Sequence, residues 1–397
     1  MQIFLIVYAA FSAVILSVHL ALAVGLVRNM LLDRRARQKG ARSPGGLRAE
    51  VVVALRNEEK TLPALLRSLS AQTATSATFL FVDDRSTDAT GALLDEFCRV
   101  NGGRARVIHN SSEPDGLTGK QAALDLAFGA CSGDVLLFTD GDCEVPPQWV
   151  EEMLIPFEDP SVGVVIGRIE LQAAAGNFLQ LFQAFEQPLL NQYNLGSVGI
   201  GLATGCFGNN MAVRTVAVKA AGAFRTLGYS VTEDAMLLDA VRRAGWKARA
   251  RASFPAAART RGKARWGDYV NQHTRWNAGG LFSEDPVTRL SYIVVVLIYL
   301  TSNVVLLPLG FLDWRIAALS TTSFAGIAIL AAVGALYERN DRLSYLARLL
   351  PFVVFFGFFY VFVTLRALAM KPFEWKGRVL TPRSAQTPGQ ARGTPGA

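Results

Sequence analysis

The sequence predicts an α/β protein: a Rossmann-like, mostly parallel sheet with helices on both faces, carrying transmembrane α-helices at both ends. Three observations predict it. Between residues 50 and 170, short apolar runs alternate strictly with helix-like segments, which implies right-handed crossovers and parallel strands. Those runs close on polar and acidic residues (Asn57-Glu58, Asp83-Asp84, Asp140-Gly141-Asp142), at the strand ends where such sheets bind ligands. Finally, the apolar residues, 51% of the chain, pile up at its two ends.

The composition narrows the partners. The net charge of +8 comes mostly from arginines beside the apolar ends, which suits an anionic lipid bilayer. No zinc-finger or RNA-binding signature is present, so nucleic acid is not an expected partner. The four cysteines are scattered without a C-x-x-C pair, which argues against disulfides and zinc and for a reducing compartment.

Residues 1–27 form the expected anchor, since the run from Ile3 to Val27 is long and apolar enough to cross a bilayer. A signal peptide would carry basic residues before its apolar run; here Arg28, Arg34, Arg35, Arg37, Lys39, Arg42 and Arg48 follow it. The positive-inside rule then puts the N-terminus outside and the next domain in the cytoplasm, across a basic linker at 28–47. Val51–Leu55 reads as a buried strand, with Thr61 capping a helix that runs through Gln72. Phe79–Val82 is the second strand, and Ser86 or Thr87 caps the helix that runs to about Val100. Arg106–Ile108 is the third strand, Gly119–Ala130 a helix and Val135–Phe138 the next strand. That strand ends on two aspartates one residue apart. Gly141 lets the chain turn so that both carboxylates aim at one point, where a divalent cation relieves their repulsion.

Phe178, Leu181, Phe182, Phe185, Leu189 and Tyr193 fall on one helical stripe, with Gln180, Gln183, Glu186 and Gln187 opposite. The stripe is either a packing face or a membrane-surface face. Glu233-Asp234 opens a helix, where acids suit the positive dipole end. Nine basic residues and no acid lie between Arg242 and Arg265, either a solvated face or a contact for anionic lipid or diphosphate. Three apolar stretches follow within 290–370, giving about three helices, and 371–397 is a polar, partly disordered tail. Four spans with an outside N-terminus leave the C-terminus outside, whereas Lys371, Lys376 and Arg378 favour inside.

In order, the chain carries Ala54-Leu55-Arg56-Asn57-Glu58-Glu59, Asp83-Asp84-Arg85-Ser86-Thr87-Asp88, Gly119-Lys120, Asp140-Gly141-Asp142, Thr232-Glu233-Asp234 and Gln272-x-x-Arg275-Trp276. This set resembles the inverting family-2 glycosyltransferases of the GT-A fold, in the membrane-embedded branch that includes cellulose, chitin and hyaluronan synthases. The resemblance covers 48–282, the expected cytoplasmic catalytic domain. It implies a nucleoside-diphosphate sugar donor (a UDP-sugar is expected), a lipid or glycan acceptor, and Mg2+ or Mn2+ as cofactor. It assigns Asp142 with Asp140 to the metal, and Ala54, Glu58, Asp84, Lys120, Asp140 and Arg275 to the nucleotide sugar. Asp234 matches the general base, with Glu233 beside it, and Gln272 and Trp276 match acceptor contacts. Two other functions compete: a processive synthase that also translocates its polymer, and a non-catalytic scaffold. The four intact carboxylates Asp84, Asp140, Asp142 and Asp234 oppose the scaffold.

Overall fold

The structure is a computed structural model; it describes residues 2–38, 45–112, 117, 119–172, 177–228, 230–336, 342–369, 373–375 and 378–380. Ser43-Pro44 of the expected linker, Lys371 and Lys376, and the tail beyond Leu380 lie outside the described residues.

The chain opens with α1 (Gln2–Gln38), which continues past Val27 into the segment read as a basic linker. Next come β1 (Ala49–Leu55), α2 (Leu62–Ser70), β2 (Thr78–Asp84), α3 (Thr90–Asn101), β3 (Ala105–Asn110), α4 (Gly119–Ala130) and β4 (Val135–Phe138). They are followed by α5 (Trp149–Leu154), β5 (Val162–Gly167), β6 (Ile169–Gln172), α6 (Phe178–Gly199) and β7 (Met211–Arg214). α7 (Thr215–Ala220), α8 (Ala223–Leu227), α9 (Glu233–Arg243), β8 (Lys247–Arg251) and β9 (Ala258–Arg261) lead to α10 (Trp266–Leu281). α11 (Pro286–Tyr299), α12 (Leu307–Gly310), α13 (Trp314–Ala335) and α14 (Arg342–Leu368) complete the helices. The chain divides into two compact units: Met1–Leu32 with Ala173–Gly205 and Gly262–Lys376, and Asp33–Gln172 with Cys206–Arg261 and Gly377–Ala397.

The second unit is the α/β body. Its sheet runs β3-β2-β1-β4-β7-β5-β8. β7 is antiparallel to both β4 and β5, and the remaining pairs are parallel. The central strands β1, β4 and β5 are buried on both faces, which is why they read as unbroken apolar runs. On one face Val51, Val53, Phe79, Phe81, Val135 and Leu137 meet the leucines of α2 (Leu62, Leu65, Leu66, Leu69, one stripe at helical spacing) and Trp149 of α5. The other face carries α4 against β1 and β2.

The expected caps do other work. Thr61 donates its hydroxyl to the Glu58 carboxylate at 2.8 Å and caps nothing. Ser86 and Thr87 precede the start of α3 and tie its loop to the neighbouring one.

Two buried polar knots set the frame. Asn210, fully buried, accepts from Trp149 Nε1 at 2.9 Å and donates to the Arg168 and Ala256 carbonyls at 2.6 and 2.8 Å, so it fixes the turn entering β7. The Arg251 guanidinium is equally buried. It donates to Asp33 Oδ1 at 2.8 Å and to Glu152 Oε2 at 2.6 and 2.9 Å, while the Ala252 N–H donates to Asp33 Oδ2 at 3.0 Å. Removing one member leaves buried charge uncompensated, which costs about 3–5 kcal/mol. Arg251→Ala is therefore expected to lower the unfolding midpoint of the detergent-solubilised protein sharply. Arg259→Ala, at a surface pair with Glu170, should barely move it. Equal midpoints for the two variants would contradict this.

The first unit holds the apolar helices. Among the described residues, Leu5–Ala36, Pro286–Gly310 and Trp314–Ala335 are long and apolar enough to cross a membrane, and Phe352–Leu368 is a shorter apolar stretch. α11 continues into α12 through a π-helical segment, Leu300–Leu306. Residues 173–205 and 262–282, expected within the catalytic domain, group with this unit.

Of the two expected environments for the stripe of α6, the packing face is the one found: Phe182 and Leu189 are core residues, with Phe185 and Tyr193 packed against the same cluster, and part of the polar side is buried as well. Phe178 and Leu181 are exposed, whereas Gln183, Glu186 and Gln187 are buried. Gln183 pairs in both directions with the Lys263 backbone, Glu186 accepts the Tyr269 hydroxyl of α10, and His273 Nε2 lies 3.1 Å from Glu186 Oε1. Partners on a neighbouring helix let these polar groups be buried.

Candidate active site

The site is built where β2, β1 and β4 end side by side. The loops after β1 and β2 are laced together: Asn57 N–H donates to Ser86 Oγ (3.0 Å), Thr87 N–H to Asn57 Oδ1 (2.8 Å) and Glu58 N–H to Thr90 Oγ1 (2.8 Å). Both loops use left-handed backbone at a side-chain-bearing residue, Asn57 (φ 52°) and Arg85 (φ 58°), a strain that clusters at functional sites. Asp84, buried at the end of β2, accepts a two-pronged Arg85 contact at 2.9 and 3.1 Å and Asn110 Nδ2 at 2.9 Å, with Arg56 at 3.7 Å. Arg56 thus stands at Asp84. The Ala-Leu-Arg run, unlike the family's usual small-polar-aromatic one, supplies a cation there.

Gly141 is required for space. Its φ is not left-handed, as a sharp glycine turn would need; instead, an added Cβ would lie 2.5 Å from Leu55 Cδ2 and 2.9 Å from Glu58 Cγ. The absent side chain lets the Asp140–Asp142 turn press against the end of β1.

A small pocket lies behind this turn, bordered by Ala54, Lys120, Thr139, Gly208, Glu233 and Asp234. Lys120 Nζ sits 2.7 Å from Asp140 Oδ1 and 3.1 Å from Glu233 Oε1, joining the end of β4 to the start of α9. Burial by itself would favour the neutral amine. The Asp140 and then the Glu233 charge outweigh it and hold the ammonium above the ordinary lysine range. Asp234, half-buried, accepts the Gly208 N–H at 2.7 Å on Oδ2 and the Ala235 N–H at 2.9 Å on Oδ1. Gly208 comes this close only because it has no side chain; a Cβ would lie 2.8 Å from the Asp234 side chain.

The aspartates that the sequence pairs for a metal have separate neighbours: Lys120 on Asp140, and the Cys143 thiol 3.6 Å from Asp142 Oδ1. Among the described residues, no group of three or more His, Cys, Asp or Glu is gathered as a metal cage. Hard oxygen ligands in this number fit Mg2+ or Mn2+ when substrate phosphates and water complete the shell. The residues therefore fit a two-carboxylate site, not a protein cage.

Gln272, Arg275 and Trp276 lie on α10 in the apolar unit, each partly exposed. Beneath them, His273 packs its ring 4.9 Å from the Trp276 ring. Sequence reasoning gave His273, Glu186, Arg56 and Asn110 no role in the site; isolated polar residues gain meaning only from partners far along the chain.

His109, beside Asn110, bridges Asp95 at 3.0 Å and Asp83 at 3.2 Å. The hydrogen bond that its ring donates to Asp95, reinforced by Asp83, raises its pKa above 6.5. The imidazolium therefore contributes stability that is fully present below about pH 6.5 and fades as pH rises through the higher folded value. The expected result is an unfolding midpoint that drops over that window and does so less in His109→Gln. Parallel pH profiles for the two proteins would contradict it.

Residues 50–221 match the family model Glycosyl transferase family 2. A β-monoglucosyldiacylglycerol synthase of Synechocystis sp. is 27% identical over 237 residues, 58% of this chain and 47% of that protein. An undecaprenyl-phosphate 4-deoxy-4-formamido-L-arabinose transferase of Pseudomonas fluorescens is 33% identical over 112 residues, 27% of this chain and 32% of that protein. The chain thus spans less than half the length of either relative. The mannosyltransferase PcManGT of Pyrobaculum calidifontis, solved with GDP-Man and Mn2+, matches 92% of this chain and 99% of its own with a TM-score of 0.55 at 15% identity, a likeness of fold. The sheet order, with its one antiparallel strand, is that of the α/β body in which the matched span lies: over residues 50–221 the chain is similar to the glycosyl transferase family 2 model.

Proposed function

We propose that this protein is a membrane glycosyltransferase that moves a sugar from a nucleoside-diphosphate sugar to a lipid acceptor, with inversion, on the cytoplasmic face. The observation that carries the reading is the Lys120 bridge between Asp140 and Glu233, in a pocket that Asp234 also borders. It joins a carboxylate suited to the donor's diphosphate to the start of the helix that holds the candidate base. The relatives named above act, by their names, on diacylglycerol and undecaprenyl phosphate, which supports a lipid acceptor. The GDP-Man and Mn2+ of the Pyrobaculum enzyme support a nucleotide sugar and a divalent ion. Gln272-x-x-Arg275-Trp276 supports the membrane-embedded branch of the family.

In this reading Asp234 accepts the proton of the acceptor hydroxyl as that oxygen bonds to the anomeric carbon, and the bond to the diphosphate breaks on the opposite side. The ionised form is favoured by the N-terminal end of α9 and by the Gly208 N–H. Lys120 supplies fixed positive charge near the departing diphosphate. A divalent ion held by Asp140 and Asp142 would add Lewis acidity toward that diphosphate.

The test is incubation of membrane vesicles with radiolabelled UDP-glucose, UDP-galactose, UDP-N-acetylglucosamine and GDP-mannose. Label is expected in the lipid extract, and from inverted vesicles only. Label in a long polymer would favour the processive synthase, label from right-side-out vesicles would reverse the orientation, and no label with any donor would overturn the reading.

A further inference from the structure

The first turn of α4 contains a residue for which the chemistry above has no use. Gln121 follows Lys120, is 2% exposed, and spends its whole carboxamide on one loop. Its Nε2 donates to the Gly228 carbonyl, and its Oε1 accepts the Ser230 N–H at 3.0 Å. A side-chain amide that pairs with a backbone C=O and N–H two residues apart holds that backbone as a neighbouring strand would.

The grip passes on. The Ser230 hydroxyl accepts the Thr232 N–H at 3.1 Å and lies 3.2 Å from the Thr232 carbonyl. Thr232 is the residue immediately before α9, and its carbonyl accepts the Met236 N–H at 3.1 Å. Glu233 and Asp234 are the next two residues.

Gln121 also belongs to a stripe. Asp125, one turn on, accepts Arg225 Nε of α8 at 2.7 Å, and Phe128 packs on Phe224, which borders the pocket. One face of α4 (121, 125, 128) therefore contacts Phe224 and Arg225 of α8 and Gly228 and Ser230 beyond it, while Lys120 on the same turn contacts Glu233.

We infer that Gln121 is a positioning residue for the proposed base: through Gly228, Ser230 and Thr232 it sets where the Asp234 carboxylate stands. The inference rests on the reading of Asp234 as base. Burial of an amide whose both ends are used by one loop would leave two backbone groups unpaired on truncation, so the loop would drift. Misplacing a reacting group by about 1 Å costs up to ~10²-fold in rate.

The test is a double-mutant cycle on the full-length protein, assayed with the nucleotide sugar that labels lipid in the four-donor panel. Gln121→Met keeps the volume and removes both hydrogen bonds. It is expected to lower kcat roughly tenfold to a hundredfold with KM for the donor unchanged. In the Asp234→Asn background the same change is expected to cost nothing further, because its effect passes through the base. Ser230→Ala, a milder cut in the same chain, should act in the same direction. Hydrogen exchange needs no substrate, and Gln121→Met should speed it at Thr232–Met236. Equal losses in both backgrounds, a wild-type kcat, or unchanged exchange at 232–236 each overturn the inference. A wild-type rate for Asp234→Asn alone overturns instead the assignment of the base.

Discussion

Asp234→Asn is expected to slow sugar transfer by ~10²–10⁴-fold, the range that a positioned general base contributes. The substitution is nearly isosteric. An asparagine keeps one oxygen for the Gly208 N–H, which approaches at 2.7 Å, and still suits the first turn of α9. Folding and insertion should therefore survive, checked by an unchanged unfolding midpoint. Donor binding should survive too, since Lys120 with Asp140 lies on the other side of the Glu233 contact. The decisive measurement separates kcat from KM. A fall confined to kcat supports proton abstraction. A raised donor KM with normal turnover at saturation would move Asp234 into the binding shell, and a wild-type rate would make it structural.

Asp142→Asn is expected to stop transfer, by at least about a hundredfold, since Lewis-acid stabilisation of a departing diphosphate is worth several kcal/mol. Asp142 lies in the turn that closes β4, next to the Asp140 carboxylate that Lys120 contacts at 2.7 Å, and is the second carboxylate of the proposed two-carboxylate site. The variant should fold normally, because the turn is held by the Cys143 N–H to Asp140 carbonyl bond at 3.1 Å and by the packing of Gly141 on Leu55. Chelation should mimic it, with activity returning on addition of Mg2+ or Mn2+. Full activity in chelator without added metal would sink the assignment.

The strand that carries Phe138-Thr139-Asp140 was legible because its signals are local. Buried parallel strands need unbroken apolar runs, and their loops need polar residues, so β1, β2 and β4 sit where periodicity puts them. Helix caps were less legible. Thr61, Ser86 and Thr87 have the chemistry of caps, yet their oxygens serve Glu58 and Asn57, groups that the fold brings within reach. The polar side of α6 was illegible for a related reason: Gln183 and Glu186 look solvent-facing until the Lys263 backbone and Tyr269 and His273 of α10 stand beside them. The sequence also posed a problem that it did not solve. The carboxylates Asp140 and Asp142 were expected to share a metal. In the fold Lys120, 20 residues before Asp140, contacts that carboxylate and also Glu233, more than a hundred residues further along the chain.

The amino-acid sequence by itself determined the strands β1 to β4, the long apolar segments at the two ends and the carboxylates at the ends of β2 and β4, because hydrophobic period and turn chemistry act over a few residues; β5, β6, β8 and β9 became visible only in the fold. Only the tertiary structure decided that β7 enters the sheet antiparallel, that Arg56 stands at Asp84, and that Gln121 holds the backbone before Asp234. Each of these depends on which distant partner satisfies a buried polar group, and that choice is made by packing, not by local pattern.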